Sequence, residues 1–169
     1  MGRRLILHDL QPEEAVNNLP RESGSVTLVH AKPQIHNCIG CFGCWIKTPG
    51  TCLIDDEGRS FGRLIPDCDE FIVVSKCIYG SLSPDVKLTL ERSISVSLPF
   101  FHIVNGEMHH LPRYKKMPDL AYHFYGPDIT EREKSTARKL TDANALNLYA
   151  PNHYVFFHSS MEGLKEALT

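Results

Sequence analysis

The run DEFIVVSKCIYGSLS, residues 69–83, decides how this chain folds. Phe71, Ile72, Val73 and Val74 are apolar without alternation, and three of the four are β-branched. A strand covered on both faces reads this way, and such strands belong to parallel sheets. CIYGSLS then supplies turn residues, and Pro84 stands where a helix starts. The order strand, loop, helix is the repeating unit of a parallel α/β sheet.

Working outward, RLILHD (4–9), SVTLVH (25–30), DLAYHFYG (119–126) and NHYVFFHS (152–159) read as four further strands. Between the first two, PEEAVNNL is barely two turns of helix, opened by Pro12 and closed by Pro20. GRSFGRLIPDC suggests a short helix. Residues 85–96 suggest a longer one, with Val86, Leu90 and Ser93 on one face. The best helix is 130–150, where Thr130 and Glu133 form a capping box, and MEGLKEAL is the last. Residues 97–117 show no clean period and read as a long loop. The sheet order expected of five such strands is 2-1-3-4-5, with ligands at the carboxyl ends, between the first and third strands.

At 169 residues the chain is long enough for one domain, 1–169, with its own core. A formal charge of -2 shows no basic field, so neither nucleic acid nor an anionic membrane is expected as partner. No apolar run reaches spanning length, and MGRRLILHDL reads as a strand, so the expected compartment is the cytoplasm.

Four of six cysteines, Cys38, Cys41, Cys44 and Cys52, fall within residues 36–58, HNCIGCFGCWIKTPGTCLIDDEG. Disulfides are disfavoured in a reducing compartment. The C-x2-C-x2-C spacing suits an iron–sulfur cluster with Cys52 as fourth ligand. Zinc usually takes two separated cysteine knuckles. The remaining reading is four reduced thiols in a loop shaped by Gly40, Gly43, Pro49 and Gly50. Cys68 and Cys77 read as packing residues.

CIGCFGCWIKTPGTCLIDD (38–56), CIYGSLSP (77–84) and NGEMHHLPRY (105–114) together resemble the flavodoxin-fold NAD(P)H-dependent FMN reductases. Within these the chain is most similar to the branch that includes the iron–sulfur flavoproteins. The resemblance implies a flavodoxin-like three-layer α/β sandwich with a five-stranded parallel sheet. It also implies bound FMN reduced by NAD(P)H, a small-molecule acceptor or redox protein as partner, and a homo-oligomer. Cys77, Ile78, Tyr79, Gly80, Ser81 and Leu82 map onto the family's flavin loop. There an aromatic face, a close backbone approach and a hydroxyl serve the ring. Trp45 and Lys47 would stand beside the cofactor. In one alternative, Cys38, Cys41, Cys44 and Cys52 ligate a [4Fe-4S] cluster as that branch does; in another, the chain is a non-enzymatic remnant of the fold that binds a partner or metal through the cysteine loop. No side chain is expected to act as catalytic acid, base or nucleophile, because the flavin carries the chemistry.

His109, His110, Arg113 and Tyr114 form a polar cluster read as a loop over the flavin, Arg113 pairing with a nicotinamide cofactor phosphate. Asp55 and Asp56 are expected to cap the next helix. One stretch departs from the family pattern: where a Ser- or Thr-rich phosphate loop belongs, the chain has HDLQPEEAV, and Glu13 and Glu14 oppose a phosphate.

Overall fold

The computed structural model describes residues 2–168. In chain order the elements begin with β1 (Arg4–His8), α1 (Pro12–Asn18), β2 (Val26–His30), α2 (Gly43–Ile46), α3 (Phe61–Leu64) and β3 (Glu70–Lys76). They continue with α4 (Pro84–Glu91), a 3-10 turn (Arg92–Val96), β4 (Ser97–Val104) and β5 (Glu107–Pro112). The chain then closes with β6 (Asp119–Tyr125), α5 (Glu131–Leu148), β7 (His153–His158) and α6 (Met161–Leu168).

One sheet has the order β2-β1-β3-β6-β7, every pair parallel. Counting its strands alone, this is the expected 2-1-3-4-5, an α/β arrangement consistent with a flavodoxin-like fold. Successive side chains point to opposite faces of a strand, and the core divides accordingly. Leu5, Leu7, Phe71, Val73, Leu120 and Tyr122 pack with Phe61 of α3, Val86 of α4 and Ala137 and Ala145 of α5. Ile6, Ile72, Val74 and Ala121 pack with Leu19, Leu164 and Leu168, the last two from α6. The unbroken apolar run of β3 follows from this double covering.

At α5 the capping box is formed: the Glu133 amide donates to Thr130 Oγ1 at 3.3 Å, and the Thr130 amide donates to the Glu133 carboxylate at 2.9 Å. Other expectations are corrected. Residues 97–117 are not a structureless loop, because β4 and β5 pair as an antiparallel hairpin. Its turn is Asn105-Gly106, with φ of 53° and 85°, the pair a two-residue hairpin favours. A register shift between Ser97 and Phe101 breaks the alternation that would have exposed the strand in the sequence. The helix expected over 85–96 ends at Glu91 and tightens into the 3-10 turn. Neither Asp55 nor Asp56 caps α3, whose N-cap is Ser60; Asp56 instead pairs with a buried arginine.

Candidate functional site

The carboxyl ends of β1, β3, β6 and β7 surround a cavity of about 570 Å³. It lies where open parallel sheets take ligands. Asp9, one residue past β1, anchors its floor. The Asp9 carboxylate accepts the Lys76 amide at 3.1 Å and the Tyr125 hydroxyl at 3.0 Å, joining three strand ends. Burial and the Asp9 charge both push the Tyr125 phenol up, so it stays a donor. Glu14 and Asp85 complete an acidic wall, with Lys76 as the one lysine in the lining. His158 also lines the cavity, its pKa lowered by burial.

The loop after β3 makes a tight turn, closed by reciprocal Ile78–Ser81 backbone bonds of 2.9 Å. Tyr79 and Gly80 both have positive φ, 52° and 78°. The turn leaves Tyr79 88% exposed. It presses Gly80 onto α5, where an added Cβ would lie 2.6 Å from the Glu133 carbonyl oxygen. Gly80→Ala is therefore expected to lose about 1–3 kcal/mol to backbone strain, before the collision with α5 is relieved. Urea denaturation checks this, and a midpoint equal to wild type would mean that the turn is not held against α5.

The six residues expected to hold a flavin divide across this turn. Ile78 lines the carboxyl-end cavity. Ser81 and Leu82 line a second cavity of about 470 Å³ between α4, the hairpin and α5. Tyr79 projects outward, Gly80 backs onto α5, and half-buried Cys77 packs against the core.

Cys38, Cys41, Cys44 and Cys52 do come together. All six cysteines are free thiols, and these four line one small cavity of about 60 Å³ with Ile39, Phe42, Trp45, Ile54, Arg92 and Ile94. Burial pushes the Cys44 thiol up, and Cys52, Cys38 and Cys41 add like-charge repulsion. Among the described residues no group of three or more His, Cys, Asp or Glu side chains is arranged to hold a single metal ion.

Arg92, 2% exposed, closes this loop. Its two terminal nitrogens bind the Asp56 carboxylate at 2.8 and 2.9 Å, and one donates to the His36 carbonyl at 2.7 Å. One guanidinium thus ties the start of the cysteine segment to its end. The Arg92 hydrogen bond holds the Asp56 carboxyl below its ordinary range. Burial opposes the Arg92 charge, but Asp56 and Cys52 outweigh it. The Arg92 Nε is buried and has no hydrogen-bond partner among the described residues.

Trp45 joins this loop to the hairpin: its ring lies 5.3 Å from Phe42 and 4.9 Å from His110. Lys47 is exposed. His110 Nδ1 is 2.8 Å from the Leu98 carbonyl, and His109 Nδ1 is 3.0 Å from Asn147 Oδ1. Arg113 donates to the Ser95 and Ser97 carbonyls at 2.8 and 3.4 Å, so it braces the hairpin on the 3-10 turn.

Sequence reasoning missed Asp9, Tyr125, Ser83 and Arg92. The sequence signal for Arg92 was a cation heading a run of small and apolar residues, RSISV. For Asp9 it was an acid at a strand's carboxyl end.

No family model matches the chain, and no curated protein matches it significantly. Among solved structures, an FMN-dependent NADH-azoreductase from Bacillus anthracis in complex with FMN matches with a TM-score of 0.55 and 10% identity. The match covers 98% of this chain and 93% of that one. The likeness shows a shared fold. Among the described residues no helix is long and apolar enough to cross a membrane.

Proposed function

We propose that this chain is a flavin-dependent oxidoreductase that carries electrons from NAD(P)H to a small acceptor or redox protein. The observation that carries the reading is the cavity of about 570 Å³ at the carboxyl ends of the sheet, on a fold shared with an enzyme that binds FMN. The two parts of FMN fare differently there. For the ring, Ile78 offers an apolar edge in the lining, and Tyr79, outside the lining on the adjoining turn held in positive φ, an exposed aromatic face. For the phosphate the lining is unfavourable, because Asp9, Glu14 and Asp85 outnumber Lys76 there. A bound flavin would supply the electron transfer itself. The residues of the chain would orient and shield it, with Tyr125 and Asp9 fixing the three strand ends.

The test is anaerobic. The full chain is loaded with flavin, its fluorescence quenching is followed, and NADH or NADPH is added. Quenching with bleaching of the visible flavin band is expected. A chain that quenches no flavin overturns the reading.

The cysteine cavity favours a second reading, a [4Fe-4S] cluster held by Cys38, Cys41, Cys44 and Cys52. Four thiols around a cavity, rather than about one point, suit a cluster better than a single ion. The unpaired donor of buried Arg92 suits the negative charge of thiolate-ligated iron. Anaerobic purification with iron and sulfide analysis tests it: stoichiometric iron, lost in Cys44→Ala and kept in Cys68→Ala, is the expected result. Background iron, or zinc in its place, sets this reading aside.

A further inference from the structure

We infer that the carboxyl-end cavity takes a flavin without a phosphate, riboflavin in class rather than FMN. This rests on the flavin reading and changes what it predicts. A phosphate at a strand's carboxyl end needs unclaimed N–H donors or cations. Here Lys76 is set against three lining acids, Asp9, Glu14 and Asp85, and several of the nearby donors are spent on the chain's own acids. The Lys76 amide and the Tyr125 hydroxyl both donate to Asp9. The Gln11 amide, before α1, donates to the Glu14 carboxylate at 3.2 Å. The three helices that begin around the cavity each carry acid in the first turn: Glu13 and Glu14 on α1, Asp85 on α4, Glu162 on α6. Those charges take up the favourable end of each helix dipole.

The same groups suit a polyhydroxyl chain. Asp9 Oδ2, which accepts only the Lys76 amide, keeps acceptor capacity, whereas Oδ1 already accepts that amide and the Tyr125 hydroxyl; hydroxyls are neutral donors. Ser83 supplies the independent sign of a ligand. It lines the cavity, is 8% exposed, and its Oγ is buried without a partner. It stands at the N-cap of α4 yet makes no side-chain cap bond. A buried hydroxyl left unmatched is costly, and a ribityl hydroxyl within the cavity would match it.

The experiment is a parallel titration of the full chain with riboflavin and with FMN, by fluorescence quenching at low and at high salt. Riboflavin is expected to bind tighter than FMN by about tenfold or more at low salt, the gap narrowing as salt screens the carboxylates. Asp9→Asn and Glu14→Gln, which keep shape and remove charge, should strengthen FMN binding and leave its salt dependence weaker. Ser83→Ala should weaken riboflavin binding. FMN binding equal to or tighter than riboflavin overturns the inference and leaves the flavin reading standing. Binding of neither overturns both.

Discussion

Arg92→Met is expected to lose about 3–5 kcal/mol of stability, the range for removing one partner of a buried ion pair. The side chain of Arg92 is fully buried, and that of Asp56 is 12% exposed. Removing the guanidinium strands a carboxylate and leaves the His36 and Ile54 carbonyls without their donor. Arg92→Lys should rescue little, because one ammonium cannot reproduce a planar two-pronged contact. Arg92→Met with Asp56→Leu should regain only part of the loss: the stranded charge goes, but the His36 and Gly58 amides lose their Asp56 acceptor and the two carbonyls stay without a donor. Urea midpoints of the four proteins, at unchanged m-value, decide it. An Arg92→Met midpoint equal to wild type would show that this clasp holds nothing.

Acid should begin to weaken the fold above the carboxylate range. His8 and His123 are each 4% exposed. Burial lowers both to about 4, with His30 and His158 adding repulsion. Both sit in one row across the sheet: His30 beside His8, then Val74, then His123. In the unfolded chain each titrates near 6.5. Above that value both states are neutral and stability is full. As pH falls from about 6.5 to about 4, the unfolded chain takes up protons that the folded one refuses, so stability drains away. The loss is on the order of 3 kcal/mol for each histidine by pH 4. His8→Phe and His123→Phe should each flatten part of this acid limb. The His8 change also removes a buried Nδ1 that has no partner. Denaturant midpoints measured from pH 7 to pH 4 provide the check, and a flat wild-type profile down to pH 5 would sink the claim.

How much the sequence disclosed depended on whether a residue's partner was near in the chain. The parallel sheet was legible because Phe71 to Val74 advertise burial on both faces, and α5 because Thr130 and Glu133 are three residues apart. The convergence of four cysteines was legible because all four share one loop. The β4–β5 hairpin was obscured by its irregular register, although Asn105-Gly106 marked its turn. The carboxyl-end cavity was legible as a place but not in its chemistry. Asp9 meets Tyr125 across 116 residues, and Arg92 meets Asp56 across 36. Such pairings leave no local period or spacing to read. They are consequences of topology, visible only once the strands are in order.

Trp45 is the chain's single tryptophan. Its ring stands in the wall of the cysteine cavity, between Phe42 and His110, with Nε1 3.4 Å from the Ile94 carbonyl. Indole emission from this protein is therefore a single-address signal. It reports the cysteine loop and the hairpin against it, and is silent about the sheet. A melting curve followed by tryptophan emission and one followed by far-ultraviolet dichroism accordingly watch different parts of the molecule. An absorbing group beside the indole would dim it by energy transfer. The native chain thus carries a built-in, label-free lamp for occupancy of the cavity that its four thiols surround.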